Sequence, residues 1–277
     1  MLRFTFLLLL LIPAYSYNQV ISGNKITKQV PVVNKPQHDP PAVINLYTEV
    51  LAHDICTNSI TVANDSGYNA GDTVLLIQMK GAVVDTGNTA SFGTILDYRN
   101  AGNYEFNYIS QKSGNVITFL NRLNKTYDIP TGVVQLVRVP SYKTGSFSGG
   151  LTCDPWNGTK GGILAVFSTI SLESYENIDV SGRGFRGGEG YNSVYSALTC
   201  NQNSYIYTLS SQFAAFKGES IASFSQNYFK GKGSFAGGGG GGNSHKAGGG
   251  GGGNGGSGGL GGIKLIHVAP PLLIIGV

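Results

Sequence analysis

The chain has 277 residues, enough for one large or two small domains, so a sizeable core is within reach. Charged residues make up only 12%, about half the usual share, while the 42 glycines are about twice the usual share, so Asn, Ser, Thr and Tyr carry the polarity of the surface. The net charge of +4 is spread along the chain with no block of Lys and Arg, so no electrostatic surface for nucleic acid or lipid is indicated.

Residues 1–16 have the layout of a signal peptide: Arg3 gives a positive start, FLLLLLI an apolar run, and Ala14 and Ser16 the small residues of a cleavage site. The run is shorter than the roughly 20 residues a membrane helix needs, and no Cys follows it for lipid anchoring. A secreted or outer-surface location is therefore expected. Residues 17–45, with Pro31, Pro36, Pro40 and Pro41 among polar side chains, read as an extended leader.

Residues 46–148 change texture. SITVA, TVLLIQM, YEFNYI, VITFL and VVQLVRV are short runs rich in Val, Ile, Leu and aromatic residues, separated by Gly, Asn, Asp or Pro. They predict an all-β domain of short strands. The single helical candidate is weak and covers Ser210 to Phe216. In residues 149–236 the runs ILAVF, ISL and IDV follow one another too closely for helical crossovers, which predicts a β-solenoid-like (β-helix-like) segment with small residues at its corners, or else hairpins.

Residues 237–262 form a polyglycine tract. Each ordered residue loses about 1–2 kcal/mol of backbone entropy, and glycine loses the most, so the tract orders only through a mesh of main-chain hydrogen bonds or close stacking on a scaffold. Its runs continue directly from the strand-like segments and are broken by Asn243, Ala247, Asn254 and Leu260, which favours partial order. The closing IKLIHVAPPLLIIGV, residues 263–277, is too short and too interrupted by Pro270 and Pro271 for a membrane helix. It reads as a strand without its neighbours, and the expectation is a chain that continues.

The series GDTVLLIQMKG, GNYEFNYI, LVRVPSY, WNGTKGGILAVF, IDVSGRGFRGG and KGESIA, followed by paired glycine runs, resembles the N-terminal part of large glycine-rich secreted surface and adhesin-like proteins of the Bacteroidota. The resemblance covers about residues 55–262, with IDVSGRGFRGG and the glycine runs as its most specific part. It implies export by the type IX route and a longer chain ending in a sorting domain.

Candidate chemistry is sparse. Gly182, Gly184 and Gly187 satisfy G-x-G-x-x-G after a strand-like NIDVS, but no helix opens there and no acid lies between Glu189 and Glu219 to take a ribose. Arg183 and Arg186 imitate an RGG box in one isolated copy, and Ser257 matches G-x-S-x-G as any serine in polyglycine would. The tract has no Asp or Glu for calcium coils, and His245 and Lys246 read as solvated interruptions. No metal or cofactor is expected.

Cys153 and Cys200 form a candidate disulfide in an exported chain, leaving Cys56 over. Trp156, Tyr191 and Tyr195 are candidate glycan contacts, since amphipathic aromatics stack on sugars. The acids Asp154, Glu173, Glu176 and Asp179 are the material from which a lyase site would be built. The sequence is thus read as a non-catalytic, structural or adhesin-like scaffold facing polysaccharide or another surface, with a polysaccharide-lyase-like β-helix enzyme as the alternative.

Overall fold

The computed structural model describes residues 40–191, 204–223, 226–243 and 248–253. The expected signal peptide, nearly all of the leader, the apolar tail, Tyr195, Cys200, His245 and Lys246 lie outside them. The described residues are all-β: twelve strands and one three-residue 3-10 turn, Gln226–Tyr228. The expected helix at Ser210 to Phe216 is not present. That segment runs through turns and bends to a bridge between Phe216 and Lys230, because its main-chain groups pair with the glycine segment and not with one another.

A closed antiparallel barrel positions everything else. Its strands are β2 (Leu46–Asp54), β3 (Ser59–Val62), β4 (Thr73–Lys80), β7 (Tyr104–Ser113), β8 (Val116–Phe119) and β9 (Val133–Arg138), in the order β2-β3-β8-β7-β4-β9. Alternate residues of these β-branched and aliphatic runs point inward, and Ile60, Val62, Val74, Leu76, Ile109, Ile117, Val134 and Leu136 fill the interior. Tyr68 joins them; its hydroxyl donates to the Leu136 carbonyl at 2.9 Å. Closure leaves the barrel no free strand edge.

Outside the barrel a second apolar layer joins Tyr47, Leu75, Val137 and Val139 to Cys153, Ile163, Leu164 and Ala165. The run ILAVF, expected as a strand, instead crosses this outer face irregularly before β12 (Phe167–Ser174) begins. Side chains of the barrel and of the residue just before β2 satisfy the main chain from Gly161 onward. Gln135 exchanges hydrogen bonds with Gly161 at 2.8 and 3.0 Å, and Asn45 with Ala165 at 2.7 and 3.0 Å.

Two strand pairs beyond the barrel are parallel. β10 (Ser141–Phe147) lies beside β12, with Ser141 opposite Phe167, and β1 (Ala42–Val43) lies beside β11 (Leu151–Thr152). Leu151 is bridged in turn to Ile178, so Ala42, Leu151 and Ile178 stand in one column.

The hairpin of β5 (Val83–Val84) and β6 (Ile95–Asp97) carries a third cluster, in which Val84 and Phe92 pack on Ala222 and Phe235. The first glycine run threads against this cluster. Ala215 donates to Gly242, Gly218 to Gly239, Gly241 to Gly231 and Gly253 to Gly237, all main chain to main chain. A Cβ at Gly241 would fall on the Ala215 carbonyl, so the layer closes only around hydrogen side chains. The first glycine run is thus held in a mesh of amides and carbonyls.

Candidate functional site

The three aromatic residues singled out in the sequence fare differently. Trp156 is only 3% exposed: its amide donates to the Arg183 carbonyl at 2.7 Å, and its ring stands edge-on to Phe185 with centroids 5.6 Å apart. Burial removes both its faces from any stacking role, which corrects the expectation for this residue. Tyr191 is exposed, but the Lys230 ammonium sits 3.9 Å from its ring centroid and occupies one face. Tyr195 lies outside the described residues. Cys153 is buried with a free thiol whose pKa is pushed up by burial, Cys56 is exposed in the β2–β3 turn, and Cys200 is not among the described residues.

Arg186, Glu219 and Lys230 of the glycine-rich half are engaged with the framework. The Arg186 guanidinium meets Glu219 through Nε–Oε2 at 3.0 Å and Nη2–Oε1 at 2.7 Å, and Lys80 of β4 reaches Glu219 at 3.5 Å. Burial alone would raise the Glu219 pKa, but the Arg186 hydrogen bonds and the two cations outweigh it and set the carboxyl at about 2. Lys230, nearly fully buried, donates to the Ser211 carbonyl at 2.7 Å beneath Tyr191 and Phe216. Glu173, Glu176 and Asp179 are exposed, and among the described residues no three His, Cys, Asp or Glu gather into a metal-binding group.

The open aromatic surface lies elsewhere, on β7. In YEFNYI the polar alternates turn away from solvent. Asn107 is 2% exposed and bonded to the main chain of Asn121, and Glu105 accepts the amides of Asn124 and Lys125 and the Tyr127 hydroxyl. Burial raises the pKa of that Tyr127 hydroxyl, and the neighbouring Glu105 carboxylate adds to the rise. The aromatic alternates therefore face outward, with Tyr104 54%, Phe106 46% and Tyr108 48% exposed.

Phe167 at the start of β12 extends the row. Its ring meets Phe106 at 5.0 Å and 64°, while Phe106 meets Tyr104 at 6.5 Å and 83°. Leu120, whose amide donates to the Tyr108 carbonyl at 2.8 Å, continues it at the far end. Rings at these angles leave exposed faces in two orientations, with two phenolic hydroxyls among them and no carboxylate in the row. The alternation in YEFNYI was the available signal for this face. A period of two, however, does not say which set points outward.

No helix of the described residues is long and apolar enough to cross a membrane. No family model matches the chain, and no curated protein sequence matches it. Among solved structures it is similar to a tailspike of Acinetobacter baumannii bacteriophage AP22, determined in complex with A. baumannii capsular saccharide, with 17% identity and a TM-score of 0.24 over 47% of this chain and 21% of that one. It is also similar to the tailspike of Pseudomonas phage LKA1, with 18% identity and a TM-score of 0.22 over 38% of this chain and 17% of that one. The chain thus spans about a fifth of the length of these tailspikes.

Proposed function

We propose that the protein is a secreted or cell-surface scaffold, the N-terminal part of an adhesin-like chain, that contacts glycan without transforming it. The observation that carries this reading is the exposed row Tyr104, Phe106, Tyr108 and Phe167 on a closed barrel. Aromatic faces held on a rigid strand stack on the apolar faces of sugar rings, with hydroxyls at the margin for hydrogen bonds. The cations and acid of the glycine-rich half support the non-catalytic part, because Arg186, Glu219, Lys217 and Lys230 are engaged internally.

The same reading takes residues 141–179 as the opening turns of a β-solenoid. The parallel offsets of 26 residues from Ser141 to Phe167 and 27 from Leu151 to Ile178 support it, since near-equal offsets are what stacked coils produce. Such a coil would extend from the barrel and hold the aromatic row at its base.

The test is a glycan array and a lyase assay on the secreted protein. The expected outcome is retention of a polysaccharide with no release of unsaturated products, and loss of retention when Tyr104, Phe106 and Tyr108 are replaced by Ala. Turnover would replace the scaffold by a carbohydrate-active β-helix enzyme. Absence of binding across the array would remove the glycan.

A further inference from the structure

Lys217 is 7% exposed, and no ion pair with a carboxylate accompanies it among the described residues. Glu219, two positions on, is taken by Arg186 and Lys80. The Lys217 ammonium instead donates to three successive carbonyls, those of Gly231 at 2.8 Å, Lys232 at 2.5 Å and Gly233 at 2.8 Å. It also lies 4.5 Å from the centroid of Phe92 and 5.6 Å from that of Phe235. Three acceptors match the three N–H donors of a primary ammonium, and two ring faces supply the rest of the attraction.

The cage is tied to the glycine layer through one atom. The Gly231 carbonyl accepts both the Lys217 ammonium and the Gly241 amide, the latter at 2.9 Å, so both its lone pairs are used. Gly240 packs against the main chain of Gly233 on the same turn.

We propose that the carbonyls of Gly231, Lys232 and Gly233, with the rings of Phe92 and Phe235, form a binding site for a primary alkylammonium ion, which the protein fills with Lys217 to fasten its glycine layer. Removing the side chain leaves a cage able to take the same group from solution. The three carbonyls discriminate by donor number, so at pH 6 propan-1-ol, with a single O–H donor, does not replace an ion carrying three N–H donors.

The other titratable groups on the packed elements are occupied. Lys232 lies 4.6 Å from the centroid of Tyr205, Lys230 is on Ser211, and Asp85 of the β5–β6 hairpin accepts the Gly87 amide at 2.7 Å. Burial pulls the Lys217 pKa down to about 7, so the cage is tested at pH 6, where the tenant is charged.

The experiment uses the full chain with Lys217→Ala, which removes the atoms of n-propylammonium. Thermal unfolding and amide exchange over residues 237–242 are followed with n-propylammonium chloride, propan-1-ol or sodium chloride added. The variant is expected to unfold at lower temperature and to exchange roughly tenfold faster or more in that segment, the equivalent of one lost charge-assisted hydrogen bond. Propylammonium restores both, while propanol and sodium chloride restore neither. Equal restoration by propanol, failure of propylammonium, or unchanged exchange in the variant would each overturn the proposal. If Lys217→Ala does not fold, Lys217→Met decides: faster exchange, unresponsive to propylammonium because the space is filled, supports the cage, and wild-type exchange refutes it.

Discussion

Arg186 and Glu219 are joined by two side-chain hydrogen bonds and, in addition, by an Arg186 amide donating to Oε2 at 3.0 Å and a Glu219 amide donating to the Arg186 carbonyl at 2.9 Å. The pair lies 33 positions apart in sequence and, with Lys80 added, ties the glycine-rich half to the barrel strand β4. Arg186, the second arginine of the G-x-G-x-x-G run, is therefore a structural clasp.

That clasp sets an acid limit on stability. The Glu219 carboxyl is held at about 2, below the ordinary value of 4.5. The folded state therefore binds fewer protons than the unfolded chain between these values, and the stabilisation present above about 4.5 is lost as pH falls towards 2. Glu219→Gln is expected to cost about 2 kcal/mol at pH 7, in the range for a hydrogen bond to a charged partner, and to flatten the acid limb. Urea unfolding of both proteins from pH 7 to pH 2.5 checks this; a parallel pair of curves would refute it.

Lys217 sets a slope of the opposite origin. Burial lowers its pKa from 10.5 to about 7, so between these values the unfolded chain carries a proton that the folded chain lacks. Stability from this group rises as pH climbs from about 7 towards 10.5, because burial of the charged form is no longer required. Lys217→Met should lack that rise. Chemical denaturation at pH 6.5, 8 and 9.5 compares the two slopes.

The aromatic row predicts a separation of binding from stability. Tyr104, Phe106 and Tyr108 point out of the barrel; Tyr108→Ala should alter unfolding by no more than roughly 0.5 kcal/mol, while Tyr104→Ala and Phe106→Ala, which also break ring contacts of the row, should cost about 0.5–1.5 kcal/mol each. Leu136→Ala, from the fully buried interior, should cost about 2–5 kcal/mol. Glycan retention should fall about tenfold with Phe106→Ala, a loss of about 1.4 kcal/mol, and should be unaffected by a surface change such as Lys143→Gln. Calorimetric unfolding alongside a pull-down on insoluble polysaccharide reads both quantities.

Much of the barrel was legible because its strands satisfy a local rule. SITVA, VITFL and VVQLVRV contain β3, β8 and β9, and TVLLIQM covers β4 up to its last residue, Lys80. Strand β2 was less so: LYTEVLAHD carries Glu49, His53 and Asp54, and only its pairing with β9 and β3 makes it a strand. The facing of β7 was hidden because it depends on the amides of Asn124 and Lys125, which claim Glu105 from elsewhere in the chain. The irregular path of ILAVF was hidden for a similar reason, since Tyr47 of β2 and Asn45 just before it supply its hydrogen bonds from far back in the chain. The Arg186–Glu219 clasp and the Lys217 cage depend on contacts that no local pattern records. Trp156 was misread because composition marks an aromatic as amphipathic without saying whether the fold covers it.

The glycines themselves divide into those the fold requires and those it tolerates, and the division cuts across the motif. Gly184 and Gly187 have no atom within 4 Å of where a Cβ would stand and no left-handed φ, whereas a Cβ on the adjacent Gly188 would strike the Phe216 carbonyl, and one on Gly241 the Ala215 carbonyl. Gly187→Ala is therefore expected to be neutral or to stabilise by about 0.4–1 kcal/mol, through the lower entropy of the unfolded chain. Gly188→Ala and Gly241→Ala should each lose about 1–3 kcal/mol, the usual penalty for forcing atoms into a closed layer. The Ala215 carbonyl already accepts the Gly231 amide, so relaxation around a Cβ at Gly241 would break the mesh. Thermal unfolding of the three single variants decides the matter: equal effects at Gly187 and Gly188 would mean that the glycine layer is not packed as described.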